Sequence, residues 1–181
     1  PSIYSLKIMR AQAALSSSSK PMIAFAAPVF SKSAQADARS QQKVAMRSIT
    51  SFYQGTQVDT RKLGEMLEQL PGSRGEVQAI GKTLGVGPDD LKLGLAATET
   101  AVKQAKLDHY RIVYFATHAL VAGELEKFSK AKAEPALVLT IPDKPTEQDD
   151  GLLQASEIAQ LKLDADWAVL SACNTASADG V

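Results

Sequence analysis

Apolar positions along this chain follow two patterns, a helical spacing and short continuous runs, separated by stretches rich in serine, proline and glycine. Leu63, Met66, Leu67 and Leu70 recur three and four apart, which predicts a helix, and Pro71–Gly72 reads as its stop. Ser73 with Glu76 three residues on is a capping-box pattern opening a second helix. Val77, Ile80 and Leu84 supply its apolar face, and Gly85–Val86–Gly87–Pro88 ends it. Leu91 to Leu95 predicts a short strand. Thr98 then caps a helix with Glu99 in its positive first turn and Ala101, Val102 and Ala105 facing inward. Two runs, Arg111 to Ala116 and Trp167 to Ala172, do not alternate, as expected of strands covered on both faces of a parallel sheet. Between them stand a strand at Ala136 to Ile141, a turn-rich stretch from Pro142 to Gly151, and a short helix around Ala155 to Gln160.

The first third of the chain is less patterned. Ile3 to Leu15 allows a short helix, Ser16 to Pro21 is a loop by composition, and Met22 to Ala26 reads as a buried strand stopped by Pro28. Ser31 to Ser48 is polar, alanine-rich and without a clean period, so a mobile loop or marginal helix is expected. Strands alternating with helices predict an α/β fold, a three-layer sandwich on a mostly parallel sheet. No internal repeat is present.

Composition narrows the function. The chain has 181 residues, 45% apolar and 22% charged, which fits one soluble domain. Its longest apolar stretch, Met22 to Phe30, carries a proline and falls far short of the ~18 residues of a membrane span. Twenty basic and twenty acidic residues cancel, so charge gives no reason to expect nucleic acid or an anionic membrane as partner. Residues 1–50 hold seven Lys and Arg against Asp37 alone, and a solvated basic segment is the plain interpretation. No secretory signal stands at the start, and Pro1 in place of methionine implies a fragment of something longer. A single cysteine, Cys173, excludes an internal disulfide and a Cys-based zinc cluster, and fits a reducing cytoplasm.

The chemistry-bearing residues lie where the two central strands end. Ligands and reacting groups in open parallel sheets gather beyond the carboxyl ends of the strands. His118 follows the first apolar run, in Ala116–Thr117–His118–Ala119, and Cys173 follows the second, in Ser171–Ala172–Cys173–Asn174. If both strands lie parallel in one sheet, both side chains emerge at the same rim. An isolated thiol is only about 3% thiolate at neutral pH, and the thiolate is the nucleophile, so a histidine within reach matters. It would take the thiol proton and return it to a leaving amine. The backbone N–H groups of Ala119 and Cys173 stand in place to hold the oxyanion of an acyl-transfer intermediate. Taken singly, a strand-end cysteine also fits a packed core position, and the histidine a hydrogen-bonded turn. Jointly they are less neutral, because their separation of 55 residues is near the ~50 of caspase-type enzymes.

The two segments Tyr114 to Ala119 and Val169 to Thr175 resemble the paired histidine and cysteine motifs of the CHAT-domain family, caspase-like (clan CD) cysteine peptidases found widely in bacteria. Leu70–Pro71–Gly72–Ser73–Arg74–Gly75–Glu76–Val77 is similar to the start of that family's first large helix, and Leu95 to Glu99 to the strand-to-helix step before the histidine strand. Asp150 to Leu153 with Ala155 to Ile158 resembles the segment leading to the cysteine strand, and Phe25 to Phe30 the first strand. The match is loose over residues 1–59 and close over 60–181, which divides the chain into an N-terminal segment and a caspase-like core. The resemblance implies a cysteine endopeptidase with Cys173 as nucleophile, His118 as base and acid, Ala119 and Cys173 as oxyanion donors, and no metal or cofactor. It also implies a protein substrate and a tetratricopeptide region or regulatory protein outside this chain as possible partners.

Two departures from the family pattern bear on this. Ala119 stands where glycine is usual, and a tight or positive-φ turn there would be costlier with a Cβ. The chain stops eight residues after Cys173, so it is expected to be the first part of a catalytic domain, incomplete at its C-terminus and inactive in isolation. Asp179–Gly180 is a candidate cleavage site of the kind that divides caspase-type enzymes into subunits, and a truncated end is the plainer account. The alternative function is a caspase-like regulatory module that binds protein partners without turnover. A metal site drawing on His109, His118 and Cys173 is weaker, since no short ligand spacing supports it, and His109 beside Asp108 reads as a surface residue. Asp149–Asp150 reads as a turn and Ser16 to Ser19 as linker.

Overall fold

A computed structural model describes residues 18–31, 53–54, 57–58, 60–120, 134–146 and 148–171. The expected helix at Ile3 to Leu15, the polar stretch after Ser31, and the segment from Ala172 through Cys173 to Asp179–Gly180 lie outside the described residues.

The run Lys20–Ala26 forms strand β1, and Met22 through Ala26 are all buried. Burial on both faces follows from its place inside the sheet. β1 lies between β4 (Leu91–Leu93) and β5 (Tyr110–Ala116), with β9 (Trp167–Leu170) beyond β5. All three pairings are parallel, which accounts for the non-alternating sequences of β1 and β5. Two short hairpin strands, β2 (Tyr53–Gln54) and β3 (Gln57–Val58), pair antiparallel away from this sheet.

Helices cover both faces, as expected of a three-layer α/β sandwich. On one face Val77 and Ile80 of α2 (Pro71–Leu84) pack on Met22, Ala24, Tyr114 and Ala116. On the other, Val102 of α3 (Glu99–Gln104) and Ile158 of α4 (Ala155–Ile158) pack on Ile23, Phe25, Val113 and Phe115. Phe25 and Phe115 stack at 5.3 Å between adjacent strands. Thr98 caps α3 as expected, its side chain accepting from the Ala101 N–H at 3.0 Å. Gly85 ends α2 in the left-handed region at φ 68°, which lets the Val86 N–H return to the Gly81 carbonyl at 2.8 Å.

Several expectations are corrected. Pro71 does not stop a helix but begins one. It occupies the first turn of α2, where its fixed φ fits and its missing N–H costs nothing, so the helix starts before Ser73. The capping box therefore does not form. The Ser73 hydroxyl instead donates to the Leu70 carbonyl at 2.7 Å and accepts the Ala27 N–H at 3.0 Å. The strand expected to reach Leu95 ends at Leu93, because Gly94–Ala96 coils into a 3-10 turn. The strand expected to reach Ile141 ends at Val138, where the Leu139 and Thr140 N–H groups turn to the Gly151 and Ala97 carbonyls. β9 is not covered on both faces: Trp167 is 68% exposed and Leu170 60%.

A second small sheet was not foreseen. β6 (His118–Leu120), β7 (Ala136–Val138) and β8 (Leu152–Gln154) pair antiparallel, and α1 (Thr60–Met66) packs Leu63 against them with Phe30.

Candidate active site

The site is built where the chain leaves β5. Thr117 is fully buried, and its hydroxyl donates to the Val138 carbonyl of β7. That bond redirects the strand out of the parallel sheet, so His118 becomes the first residue of β6, opposite Val138. Ala119 pairs with Leu137 in the same ladder. Among the described non-glycine residues only Ala27 has a positive φ, so Ala119 bears no left-handed strain for its methyl group.

His118 is 3% exposed, with its ring 5.2 Å from that of Phe30. Its Nε2 lies 2.8 Å from the Glu68 carbonyl oxygen, in the turn between α1 and α2. A carbonyl only accepts, so Nε2 carries the proton and Nδ1 keeps its lone pair. Nδ1 is buried without a hydrogen-bond partner among the described residues. The turn that supplies the carbonyl is itself fixed. The Gln69 side-chain amide bridges the segment after β1, donating to the Pro28 carbonyl at 3.0 Å and accepting the Phe30 N–H at 3.1 Å. His118 thus has one ring nitrogen tied to a backbone carbonyl and the other buried with its lone pair unshared among the described residues.

The cysteine strand runs beside it. β5 and β9 pair from Ile112 with Trp167 to Phe115 with Leu170, each partner 55 positions on, and the Ser171 N–H continues to the Phe115 carbonyl at 2.8 Å. Cys173 itself lies outside the described residues, so of the sequence-predicted site the structure positions His118 and Ala119. His109 is exposed beside Asp108, at 4.0 Å. The Asp149 carboxylate accepts from the Thr100 N–H and hydroxyl, and Asp150 accepts the Leu152 N–H at 2.8 Å, as turn residues do. Among the described residues no group of three or more His, Cys, Asp and Glu is arranged to hold a metal ion. Phe30, Gln69 and the Glu68 carbonyl were not anticipated. A backbone carbonyl has no residue-type signature, and Phe30 was legible only as part of the first strand's flank.

A family model for the CHAT domain matches residues 2–181. The chain belongs to the CHAT-domain family. That family is related to caspase-like peptidases, which agrees with the parallel sheet and with a histidine just beyond its second central strand. No curated protein and no solved structure matches the chain. In this CHAT domain the four-stranded sheet and the helices on both faces are those of a caspase-like sandwich. No helix among the described residues is long and apolar enough to cross a membrane.

Proposed function

We propose that this CHAT domain is the catalytic part of a cysteine endopeptidase that cleaves a protein substrate, with Cys173 as nucleophile and His118 as base and acid. The observation that carries the reading is the register of β5 against β9. β5, which ends two residues before His118, and β9, which leads toward Cys173 in the sequence, are parallel neighbours, and the Ser171 N–H still reaches the Phe115 carbonyl at 2.8 Å, so the chain leaves both strands at the same rim of the sheet. The tautomer of His118 supports it, because Nδ1 is the unprotonated nitrogen and has no hydrogen-bond partner among the described residues.

The chemistry then runs without a cofactor. The thiol proton moves to Nδ1, and the thiolate attacks the scissile carbonyl carbon. The oxyanion is held by the N–H groups of Ala119 and Cys173. As the tetrahedral species collapses, the C–N bond breaks and the imidazolium gives its proton to the leaving amine. Water, deprotonated by the same imidazole, attacks the thioester and releases the acid and the thiol. Throughout, the Glu68 carbonyl holds the ring by Nε2. A reducing compartment such as the cytoplasm keeps the sulfur competent.

The test is the alkylation rate of the chain's single cysteine by iodoacetamide at pH 7. His118→Ala is expected to slow it by roughly tenfold or more, up to the ~30-fold that separates full thiolate from an ordinary thiol. Equal rates in the two proteins would refute a working pair. A second reading, a regulatory module that binds protein partners without turnover, draws on the burial of His118 against Phe30. It predicts partner binding unchanged by Cys173→Ala.

A further inference from the structure

Beyond β1, the segment that carries the Phe30 ring to His118 has its backbone groups satisfied from two sides. On one side the Val29 N–H donates to the Thr140 hydroxyl at 3.0 Å, and the Val29 carbonyl accepts the Ile141 N–H at 3.1 Å. On the other, the Gln69 side chain takes the Pro28 carbonyl at 3.0 Å and the Phe30 N–H at 3.1 Å. A carbonyl and an N–H two residues apart are the pair that a parallel neighbour engages, so one side-chain amide stands in for a strand. Glutamine suits this place because its amide both donates and accepts. A carboxylate of the same length only accepts, and leucine does neither. Pro28 and Phe30 are buried, so leaving these two groups unpaired would be costly, and that cost holds Gln69 where it is.

We propose that Gln69 is a positioning residue for His118: its amide, clamped to Pro28 and Phe30, aims the Glu68 carbonyl at Nε2 and so keeps the imidazole in the tautomer with Nδ1 unprotonated. The Glu68 carbonyl and the Gln69 nitrogen share one rigid peptide plane, so fixing Gln69 fixes the carbonyl. Glu68 itself is exposed, and residues 68–70 belong to no helix or strand, so the element ends do not aim that carbonyl. A neutral imidazole holds its proton on either nitrogen, and the hydrogen bond at one decides the state of the other. Released from the carbonyl, a fraction of His118 would carry the proton on Nδ1. In the peptidase reading, on which this deepening rests, that fraction could not take the thiol proton. Phe30 serves both ends of the device, since its N–H anchors Gln69 and its ring lies 5.2 Å from that of His118.

The experiment is long-range ¹H–¹⁵N NMR of the imidazole nitrogens in the full chain, at about pH 8.5 where an ordinary histidine is neutral. Wild type is compared with Gln69→Leu and Gln69→Glu. The chain has two histidines, and His109→Gln identifies the signals of the exposed one. In wild type the His118 Nδ1 should resonate as an unprotonated nitrogen and Nε2 as a protonated one. In Gln69→Leu the ratio of the two tautomers is expected to fall by about three- to tenfold, the worth of one hydrogen bond, drawing the two resonances together. Gln69→Glu should lower it at least as far, because the carboxylate still accepts the Phe30 N–H but turns a second acceptor toward the Pro28 carbonyl. A merely structural role would lower the unfolding midpoint and leave both ¹⁵N shifts in place, and that result would overturn the proposal. Cysteine alkylation separates this from the peptidase reading. If His118→Ala leaves alkylation unchanged, the peptidase reading fails. If His118→Ala slows it and the tautomer ignores both Gln69 substitutions, only the role of Gln69 fails.

Discussion

At position 99 a glutamate sits 1% exposed in the first turn of α3. Its Oε2 accepts the N–H groups of Asp150 and Gly151 at 2.9 and 3.1 Å, and its Oε1 meets Lys103 Nζ at 2.5 Å. Lys103 is shared with Glu157 at 2.6 Å and with the Gln148 carbonyl. Burial lifts the Glu99 pKa from 4.5 to about 6, with Lys103 opposing and Glu157 adding to the rise. Between those values the folded protein keeps a proton that the unfolded chain has lost. The stability this residue contributes is therefore full below pH 4.5 and disappears as pH rises through about 6. The difference between pH 5 and pH 7 amounts to roughly 1 kcal/mol. Urea unfolding should show that gain on acidification in wild type and a flatter dependence in Glu99→Gln. Asp150, also raised by burial, leaves a residual slope of the same sign. Identical slopes in both proteins would place the proton elsewhere.

One scale up, α1 owes its position to a single missing side chain. A Cβ on Gly64 would lie 2.1 Å from the Phe30 carbonyl oxygen, so only glycine lets the helix close on the segment that carries the Phe30 ring to His118. Gly64→Ala is expected to cost about 3 kcal/mol in thermal or urea unfolding, at the upper end of overpacking penalties. Gly72→Ala, on the exposed side of α2 with nothing within 4 Å, should instead stabilise by about 0.5–1 kcal/mol. Equal effects of the two would show that the approach of α1 to Phe30 is not tight. These helices were legible from their apolar spacing, and so was the strand-end position of His118, because long elements repeat their pattern several times. What escaped was short or backbone-borne. β6 and β8 have three residues each, too few for a period to register. The capping signal at Ser73 was outcompeted by Pro71, which freed Glu76 to reach Tyr114. The Glu68 carbonyl that orients His118 leaves no trace in residue type.

Across the molecule, cover is uneven from one side of the sheet to the other. β1 and β5 lie between strands and beneath helices, and their residues from Met22 to Ala26 and from Val113 to Ala116 are all buried. β9 ends the described sheet with Trp167 and Leu170 exposed on opposite faces, although its sequence is that of a strand covered on both. Local opening should therefore start at β9 and leave the β1–β5 pair to the global transition, since few buried contacts oppose its departure. Hydrogen exchange followed by mass spectrometry is expected to protect residues 20–26 and 110–116 most strongly. Residues 167–170 should exchange faster by roughly an order of magnitude or more. Trp167 is the only tryptophan in the chain, so its emission reports on the same strand and should be red-shifted and readily quenched by iodide. Protection of β9 equal to that of β1, with a shielded tryptophan, would mean that the outer edge is covered in solution. The gradient across the sheet would then be wrong.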